Sequence, residues 1–188
     1  MSEVALHKLP ILVVVTGRPG SGKTTLAHAL AREIRCPAIC RDEIKEGLVN
    51  TTNNSGEPGD DIAWKVYDVF FETLGLLLSH SITLVSEAAF QHKLWEPKLF
   101  QLEKIARIRI VHCAIDPKLA RSRFIQRALS DPKRTRFHND GAMVEAIDGT
   151  EAPISNYKPP IFDAPTLTVD TSDGYQPKFE AIVSFACD

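Results

Sequence analysis

The segment from Gly17 to Thr25 constrains the fold of this chain more than any other. It reads GRPGSGKTT and fits the pattern G-x-x-x-x-G-K-[ST] between a β-rich apolar run and a helix-forming run. Glycines let the backbone curl so that successive N–H groups face phosphate oxygens, and the helix that follows adds its positive end. The pattern therefore predicts a phosphate loop, in which Lys23 reaches the β- and γ-phosphates of a nucleotide and the Thr24 hydroxyl coordinates Mg²⁺. The expected nucleotide contacts in this loop are Gly17, Pro19, Gly20, Ser21, Gly22, Lys23, Thr24 and Thr25.

Composition narrows the class of protein around this loop. The chain has 188 residues, 44% of them apolar and 24% charged, with a formal net charge of -2. These values fit one domain over residues 1–188 and exclude a disordered tail protein, a collagen-like chain and a disulfide mini-scaffold. Near-neutral charge gives no general attraction to phosphate backbones or anionic lipid, so an anion site has to be local.

The same features set an expectation about location. No secretory signal is readable at the start, and the longest apolar run near it, Ile11 to Val15, is too short to span a bilayer. Four scattered cysteines argue against a disulfide framework, and the spacing of Cys36 and Cys40, without a second Cys/His pair, argues against zinc. We therefore expect a cytoplasmic protein with reduced thiols and no membrane partner. The sequence gives no indication of oligomeric state.

Short β-rich runs alternate with longer amphipathic runs, which is typical of βαβ units and a parallel sheet. Strands are predicted at 10–16, 37–40, 81–86, 107–115 and 166–170. Helices are predicted at about 23–35, 61–79, 92–104, 117–129 and 175–186. Two segments, 49–60 and 130–165, have the composition of mobile loops.

Several classes of phosphate-loop protein lack their markers in this sequence. No aspartate has glycine three positions later and no N-K-x-D occurs, so the switch and guanine-reading elements of a GTPase are missing. No LSGGQ-like segment marks a transporter ATPase, and the chain is short for an ATPase ring with its own helical subdomain. A compact kinase remains.

Two carboxylates follow predicted strands, where ligands bind in open α/β sheets. Asp42 follows the second strand and is a candidate base for an acceptor hydroxyl, although an aspartate here also suits the N-cap of a short helix beginning at Glu43. Glu87 ends the third strand and is a candidate to hold Mg²⁺ through water, with Ser86 as the weaker candidate. A solvated glutamate at a strand end is the alternative for Glu87.

Basic residues cluster between positions 117 and 138. Seven are basic against one acidic residue, Asp131. Arg123 and Arg127 lie four apart and share a helix face, so either could close over the phosphates in catalysis as part of a lid at about 117–140. A solvated charged face and a nucleic-acid groove are the alternatives. The basic residues are Lys118, Arg121, Arg123, Arg127, Lys133, Arg134 and Arg136.

Taken together, GRPGSGKTTLA, RDEI, SEAAF, the arginine pair and VDTSDGY resemble the small P-loop kinases that group with the polynucleotide kinase domain, zeta toxin and chloramphenicol phosphotransferase. The resemblance covers about residues 10 to 185. It implies an α/β three-layer P-loop NTPase fold with a five-stranded parallel sheet in the order 2-3-1-4-5. It also implies Mg-ATP as the donor, Asp42 as the base, and a lid arginine at Arg123 or Arg127. Thr171, Ser172 and Asp173, after the fifth strand, would lie near the adenine. In this group the third strand commonly ends in Asp, where this chain has Glu87.

These features favour transfer of the ATP γ-phosphoryl group to a hydroxyl of a small molecule. A polynucleotide 5′-hydroxyl kinase and a non-catalytic nucleotide-binding regulator are the alternatives. The acceptor pocket is expected from residues 43–75 and 90–100. In the predicted helix 61–79, Trp64, Tyr67 or Phe71 either lines that pocket or packs in the core. Three more side chains could reach the acceptor pocket, although residues of these types are more often packed in the core or exposed on the surface. They are His92, Trp95 and Tyr157.

Overall fold

A five-stranded parallel sheet lies between two layers of helices in the computed structural model, which describes residues 8–52, 60–89, 92–131, 137–138, 157–158 and 161–188. The strands and helices within these residues follow one another as β1 (Ile11–Gly17), α1 (Lys23–Ile34), β2 (Ala38–Cys40), α2 (Arg41–Thr52), α3 (Asp60–Ser79), β3 (Leu84–Glu87), α4 (His92–Glu103), β4 (Arg107–Ala114), α5 (Pro117–Ser130), β5 (Thr166–Asp170) and α6 (Phe179–Cys187).

The strands lie in the order β2-β3-β1-β4-β5, and each neighbouring pair is parallel. This is the order that the resemblance implied, and it is confirmed. All seven residues of β1 are buried, as expected for a central parallel strand covered on both faces. In the register of the sheet, Val15 pairs with Glu87 of β3 and Gly17 pairs with Cys113 of β4. The carboxyl ends of the three middle strands therefore meet at the phosphate loop.

The alternation of side chains along β1 divides the interior into two cores. Leu12 and Val14 face α3 and α4, where Phe70 is fully buried and Trp95 is 4% exposed. Val13 and Val15 face α1 and α6. No helix within the described residues has the length and apolar character needed to cross a membrane.

The structure corrects three predicted boundaries. The strand predicted at 81–86 is β3 at 84–87, because the N–H groups of Ser81 and Ile82 bond to the last carbonyls of α3. The helix predicted at 175–186 begins only at Phe179, because Gln176 exchanges two backbone hydrogen bonds with Asp170 at the end of β5. The short helix expected to begin at Glu43 begins at Arg41 instead.

The predicted loops lie largely outside the described residues. α2 continues through Thr52 and brings Val49, which is 2% exposed, into the interior, so the loop predicted from residue 49 begins later than expected. Residues 53–59 and most of 130–165 lie outside the described part of the chain.

Candidate active site

The phosphate loop connects the end of β1 to the start of α1, as the motif predicts. Two of its glycines have positive φ, 81° at Gly20 and 75° at Gly22, a conformation that other L-residues adopt at a cost. A Cβ at Gly20 would lie 2.1 Å from the Ala120 carbonyl oxygen, and one at Gly17 would lie 2.5 Å from Ser21 Oγ. Close approach to α5 therefore requires glycine at position 20, and the packing around the loop requires it at position 17.

Ser21 lies at the centre of this loop. Its N–H donates to the Arg18 carbonyl over 3.1 Å, which closes the turn. Its hydroxyl is buried and has no hydrogen-bond partner among the residues that the structure describes. A buried hydroxyl without a partner is unfavourable, so this oxygen is suited to an incoming polar ligand.

Lys23, Thr24 and Glu87 form a compact polar group beneath the loop. The Lys23 ammonium lies 3.6 Å from one oxygen of Glu87, and the Thr24 hydroxyl donates to the other oxygen over 3.0 Å. Lys23 is 8% exposed and Glu87 is 1% exposed. Burial raises the pKa of the Glu87 carboxyl above its usual range, while the charge of Lys23 and the hydrogen bonds from Thr24 and Lys23 act in the opposite direction.

The two candidate metal ligands on β3 occupy different surroundings. The Ser86 side chain points to the opposite face of the sheet from Glu87 and donates to the Val13 carbonyl over 3.4 Å. Only Glu87 of the two contacts Thr24. Its carboxylate and the Thr24 hydroxyl are hard oxygen donors, which is the ligand chemistry that Mg²⁺ prefers. The residues present therefore fit a magnesium site.

Asp42 lies in the first turn of α2, directly after β2. Cys40, the last residue of β2, pairs with Glu87, so Asp42 follows β2 at the same carboxyl edge of the sheet from which the phosphate loop starts. The pKa of the Glu87 carboxyl is raised mainly by burial, and the charge of Asp42 acts in the same direction. Because α2 begins at Arg41, Asp42 lies within the helix and is not the N-cap of a helix beginning at Glu43.

The candidate lid arginines on α5 differ in their surroundings. The two terminal nitrogens of Arg123 donate to the carbonyl oxygens of Thr171 and Ser172 over 2.9 and 2.7 Å. The Arg127 guanidinium is exposed and lies 5.6 Å from the centre of the Phe124 ring. Three further members of the basic cluster, Lys133, Arg134 and Arg136, lie outside the described residues.

The loop after β5 contacts the phosphate loop directly. The Thr171 hydroxyl donates to the Ser21 carbonyl over 2.8 Å and lies 3.2 Å from the Ala114 carbonyl. The Ser172 N–H donates to Asp170, and this hydrogen bond lowers the pKa of the Asp170 carboxyl. Asp173 is exposed. Thr171 thus holds the segment after β5 against the phosphate loop, and Arg123 holds it against α5.

An aromatic cavity of about 300 Å³ is lined by Arg41, Ala63, Trp64, Tyr67, Ala89, Leu94 and Trp95, and Arg41 directly precedes Asp42 in the chain. Tyr67 packs edge-to-face against Trp64 and Trp95, with ring centres 5.8 and 5.7 Å apart. Trp64 is 54% exposed, whereas Phe71 is 5% exposed and belongs to the core. Tyr157 lies away from this cavity, with its hydroxyl 3.1 Å from Thr16 Oγ1. The His92 side chain lies outside the described residues.

Known proteins share the sequence pattern and the fold of this chain. The family model described as an AAA domain matches residues 12–147, well over half of the chain. The chain belongs to this AAA domain family. The resemblance to small P-loop kinases is confirmed with it, since this AAA domain has their sheet order. A search of curated proteins finds no match.

Three solved structures share the fold of this AAA domain. A candidate kinase from Chloroflexus aurantiacus aligns with a TM-score of 0.73 and 24% identity over 94% of this chain and 96% of that chain. The APS kinase of Mycobacterium tuberculosis, solved with AMPPNP and APS, aligns with a TM-score of 0.62 and 17% identity over 95% and 98%. A chain of the Pnkp1/Rnl/Hen1 RNA repair complex aligns with a TM-score of 0.58 and 16% identity over 79% and 49%.

Sequence reasoning missed three features of this site. These are the Arg123 contacts with two carbonyls, the Thr171 contact with the phosphate loop, and a cluster of His28, Cys40 and Glu43 beside Asp42. Arg123 and Thr171 contact partners 48 to 150 positions away, and His28 reaches Cys40 from 12 positions away on a different element, so no spacing rule connects these partners.

Proposed function

We propose that this AAA domain is an ATP-dependent phosphotransferase that moves the γ-phosphoryl group of Mg-ATP to a hydroxyl of a small molecule. The observation that carries the proposal is the close group of Lys23, Thr24 and Glu87 at the phosphate loop, in which Lys23 and Glu87 are buried. A lysine at the phosphate loop, with a hydroxyl and a carboxylate beside it, is the donor set that a nucleotide phosphate and Mg²⁺ require.

The donor site follows from the loop geometry. The backbone N–H groups of Gly20 and of residues 22–24, at the start of α1, hold the phosphates, and Lys23 supplies a positive charge beside the transferring group. Thr24 and Glu87 would hold Mg²⁺, which neutralises charge on the phosphate oxygens when it is bound. In this ATP complex the buried Ser21 hydroxyl gains a polar partner. Thr171, Ser172 and Asp173 border the adenine.

Asp42 is the proposed base. Its place at the carboxyl end of β2 puts a carboxylate at the crevice where the acceptor hydroxyl would meet the γ-phosphate. It orients this hydroxyl and takes its proton as the oxygen–phosphorus bond forms. Arg123 or Arg127 offsets the negative charge on the transferring group.

The aromatic cavity that Arg41 lines is the proposed acceptor pocket. Its walls of Trp64, Tyr67 and Trp95 favour an acceptor with a flat apolar face. Arg41 lies at the same cavity and suits a hydrogen-bond acceptor or an anionic group on that molecule. A cavity of about 300 Å³ lies within the size range of small-molecule sites, which supports a metabolite as the acceptor.

The test is a screen of hydroxylated metabolites for ADP formation, followed by Asp42→Asn with the best acceptor. Loss of a general base should lower turnover by about 10²- to 10⁴-fold while ATP binding remains. Asp163→Asn, at an exposed position before β5, is the matched control and should keep full turnover. Unchanged turnover in Asp42→Asn would exclude the proposed base.

The same screen separates the rival functions. Salt-sensitive transfer to an oligonucleotide 5′-hydroxyl, without transfer to small molecules, would favour a polynucleotide kinase. ATP binding without ADP formation in the presence of any acceptor would favour a nucleotide-binding regulator.

A further inference from the structure

Three side chains with different metal-binding chemistry meet near the start of α2. His28 comes from α1, Cys40 from the end of β2 and Glu43 from the first turn of α2. The ligand atoms of all three lie within 4.8 Å of one another. His28 Nε2 lies 2.6 Å from a carboxylate oxygen of Glu43 and 3.6 Å from Cys40 Sγ.

The fold places this cluster next to the candidate magnesium site but keeps the two apart. His28 is four residues after Thr24, so the two side chains share one face of α1 in successive turns. Cys40 pairs with Glu87 in the sheet register. The candidate magnesium ligands Thr24 and Glu87 are therefore hard oxygen donors only, whereas the neighbouring cluster also contains a thiol and an imidazole.

The distances agree with a tetrahedral metal centre. Zinc lies about 2.0–2.1 Å from a histidine nitrogen and about 2.3 Å from a cysteine sulfur, so a tetrahedral angle separates the two ligand atoms by roughly 3.6 Å. The observed distance between His28 Nε2 and Cys40 Sγ is 3.6 Å. The corresponding nitrogen–oxygen separation is roughly 3.4 Å, so the Glu43 carboxylate would move away from His28 Nε2 and lose its present hydrogen bond. It can do so, because its side chain is 52% exposed.

We propose that His28, Cys40 and Glu43 form a binding site for Zn²⁺ or a similar borderline-soft divalent cation, with the fourth position open to water. A thiolate, an imidazole and a carboxylate select zinc over magnesium. On binding, the Cys40 thiol releases its proton to solvent and the thiolate and carboxylate together balance the charge of the ion. The His28 side chain is 44% exposed, which leaves a route for the ion from solvent.

A metal at this site would hold the segment that carries the proposed base. Cys40 and Glu43 lie immediately on either side of Arg41 and Asp42, and His28 anchors them to the helix that follows the phosphate loop. Metal binding therefore fixes the start of α2 against α1. The effect on the proposed base rests on the proposed function, whereas the metal site itself does not.

Titration of the tag-free, full-length protein with Co²⁺ tests the site directly. We expect one equivalent to bind and to give the near-ultraviolet charge-transfer band of a cobalt–thiolate bond. The candidate magnesium ligands contain no sulfur and cannot produce this band. Zn²⁺ should abolish the band at one equivalent, and excess Mg²⁺ should leave it unchanged.

Variants assign the ligands. Cys40→Ser should remove the band, and His28→Gln, at an exposed position that tolerates the change, should weaken Zn²⁺ binding at least about ten-fold in competition with a chelating indicator. Cys36→Ser and Cys187→Ser remove thiols outside the cluster and should bind as the unmodified protein does. ATP binding in each variant checks that it is folded.

Absence of a thiolate band, or a band lost in Cys36→Ser or Cys187→Ser and kept in Cys40→Ser, would overturn the proposal. Because the experiment measures metal binding, it can disprove the metal site without affecting the phosphotransferase proposal. Likewise, a failed acceptor screen would not disprove the metal site.

Discussion

Replacing Gly20 by alanine tests the close packing of the phosphate loop on α5. The added Cβ would lie 2.1 Å from the carbonyl oxygen of Ala120, far inside van der Waals contact. That oxygen belongs to the helix backbone and cannot rotate away as a side-chain terminus would. Gly20 also has φ of 81°, so the backbone of an alanine would be strained there even without the contact.

Both effects can be given a magnitude. A left-handed conformation costs a non-glycine residue about 1–2 kcal/mol, and forcing extra volume into a packed site costs about 1–3 kcal/mol more. We therefore expect Gly20→Ala to lower the free energy of unfolding by about 2–5 kcal/mol.

Two matched variants separate the contributions. Gly22→Ala has the same backbone problem, at φ of 75°, but its Cβ would meet no atom within 4 Å, so only about 1–2 kcal/mol should be lost. Gly47→Ala lies in α2 with open space around it and should be neutral or stabilising by up to about 1 kcal/mol.

Urea unfolding without nucleotide measures all three variants, and the midpoint together with its slope gives each free energy. The order of stability should be Gly47→Ala, then Gly22→Ala, then Gly20→Ala. If Gly20→Ala is no less stable than Gly22→Ala, the contact with Ala120 is not as close as described and the reasoning fails.

Three further results are expected. A thiol reagent should modify exposed Cys187 first, and Cys113 only slowly, because burial raises the pKa of Cys113 to about 12; fast labelling of both in the folded protein would contradict this. Thr171→Val should lower the free energy of unfolding by about 1–3 kcal/mol in urea, since the Ser21 carbonyl loses a buried donor, and a midpoint like that of the unmodified protein would contradict it. Trp64→Ala should raise the acceptor KM while the ATP KM and Tm stay nearly constant, because this side chain is 54% exposed; an unchanged acceptor KM would remove it from the pocket.

The phosphate loop could be predicted from the sequence because its geometry is local. Nine consecutive residues fix the turn, although Gly20 falls on a variable position of the motif and its contact with Ala120 is evident only from the structure. The sheet order was available only through the family resemblance, since strand patterns do not reveal which strands are neighbours. The boundaries of β3 and α6 were wrong because backbone groups of Ser81 and Gln176 bond to the preceding elements.

The connections between site residues could not be predicted in the same way. Arg123 donates to carbonyls 48 and 49 positions later, and backbone carbonyls have no sequence signature. His28, Cys40 and Glu43 are separated by 12 and 3 positions across a helix, a strand and a second helix, so their meeting depends on how these elements pack. Cysteine spacing alone argued against a zinc site, because it could not show that a histidine of α1 reaches Cys40.

The phosphate loop and α5 are connected by two separate contacts. The basic residues of α5 are therefore coupled mechanically to the position of the loop. Ala120 occupies the space next to Gly20, and Arg123, one turn further along the same helix, holds the Thr171 carbonyl. The Thr171 hydroxyl in turn donates to Ser21, the residue after Gly20. A shift of α5 away from the loop would therefore carry Arg123 with it and strain the Thr171 contact. Movement of the loop would likewise act on α5 through both contacts.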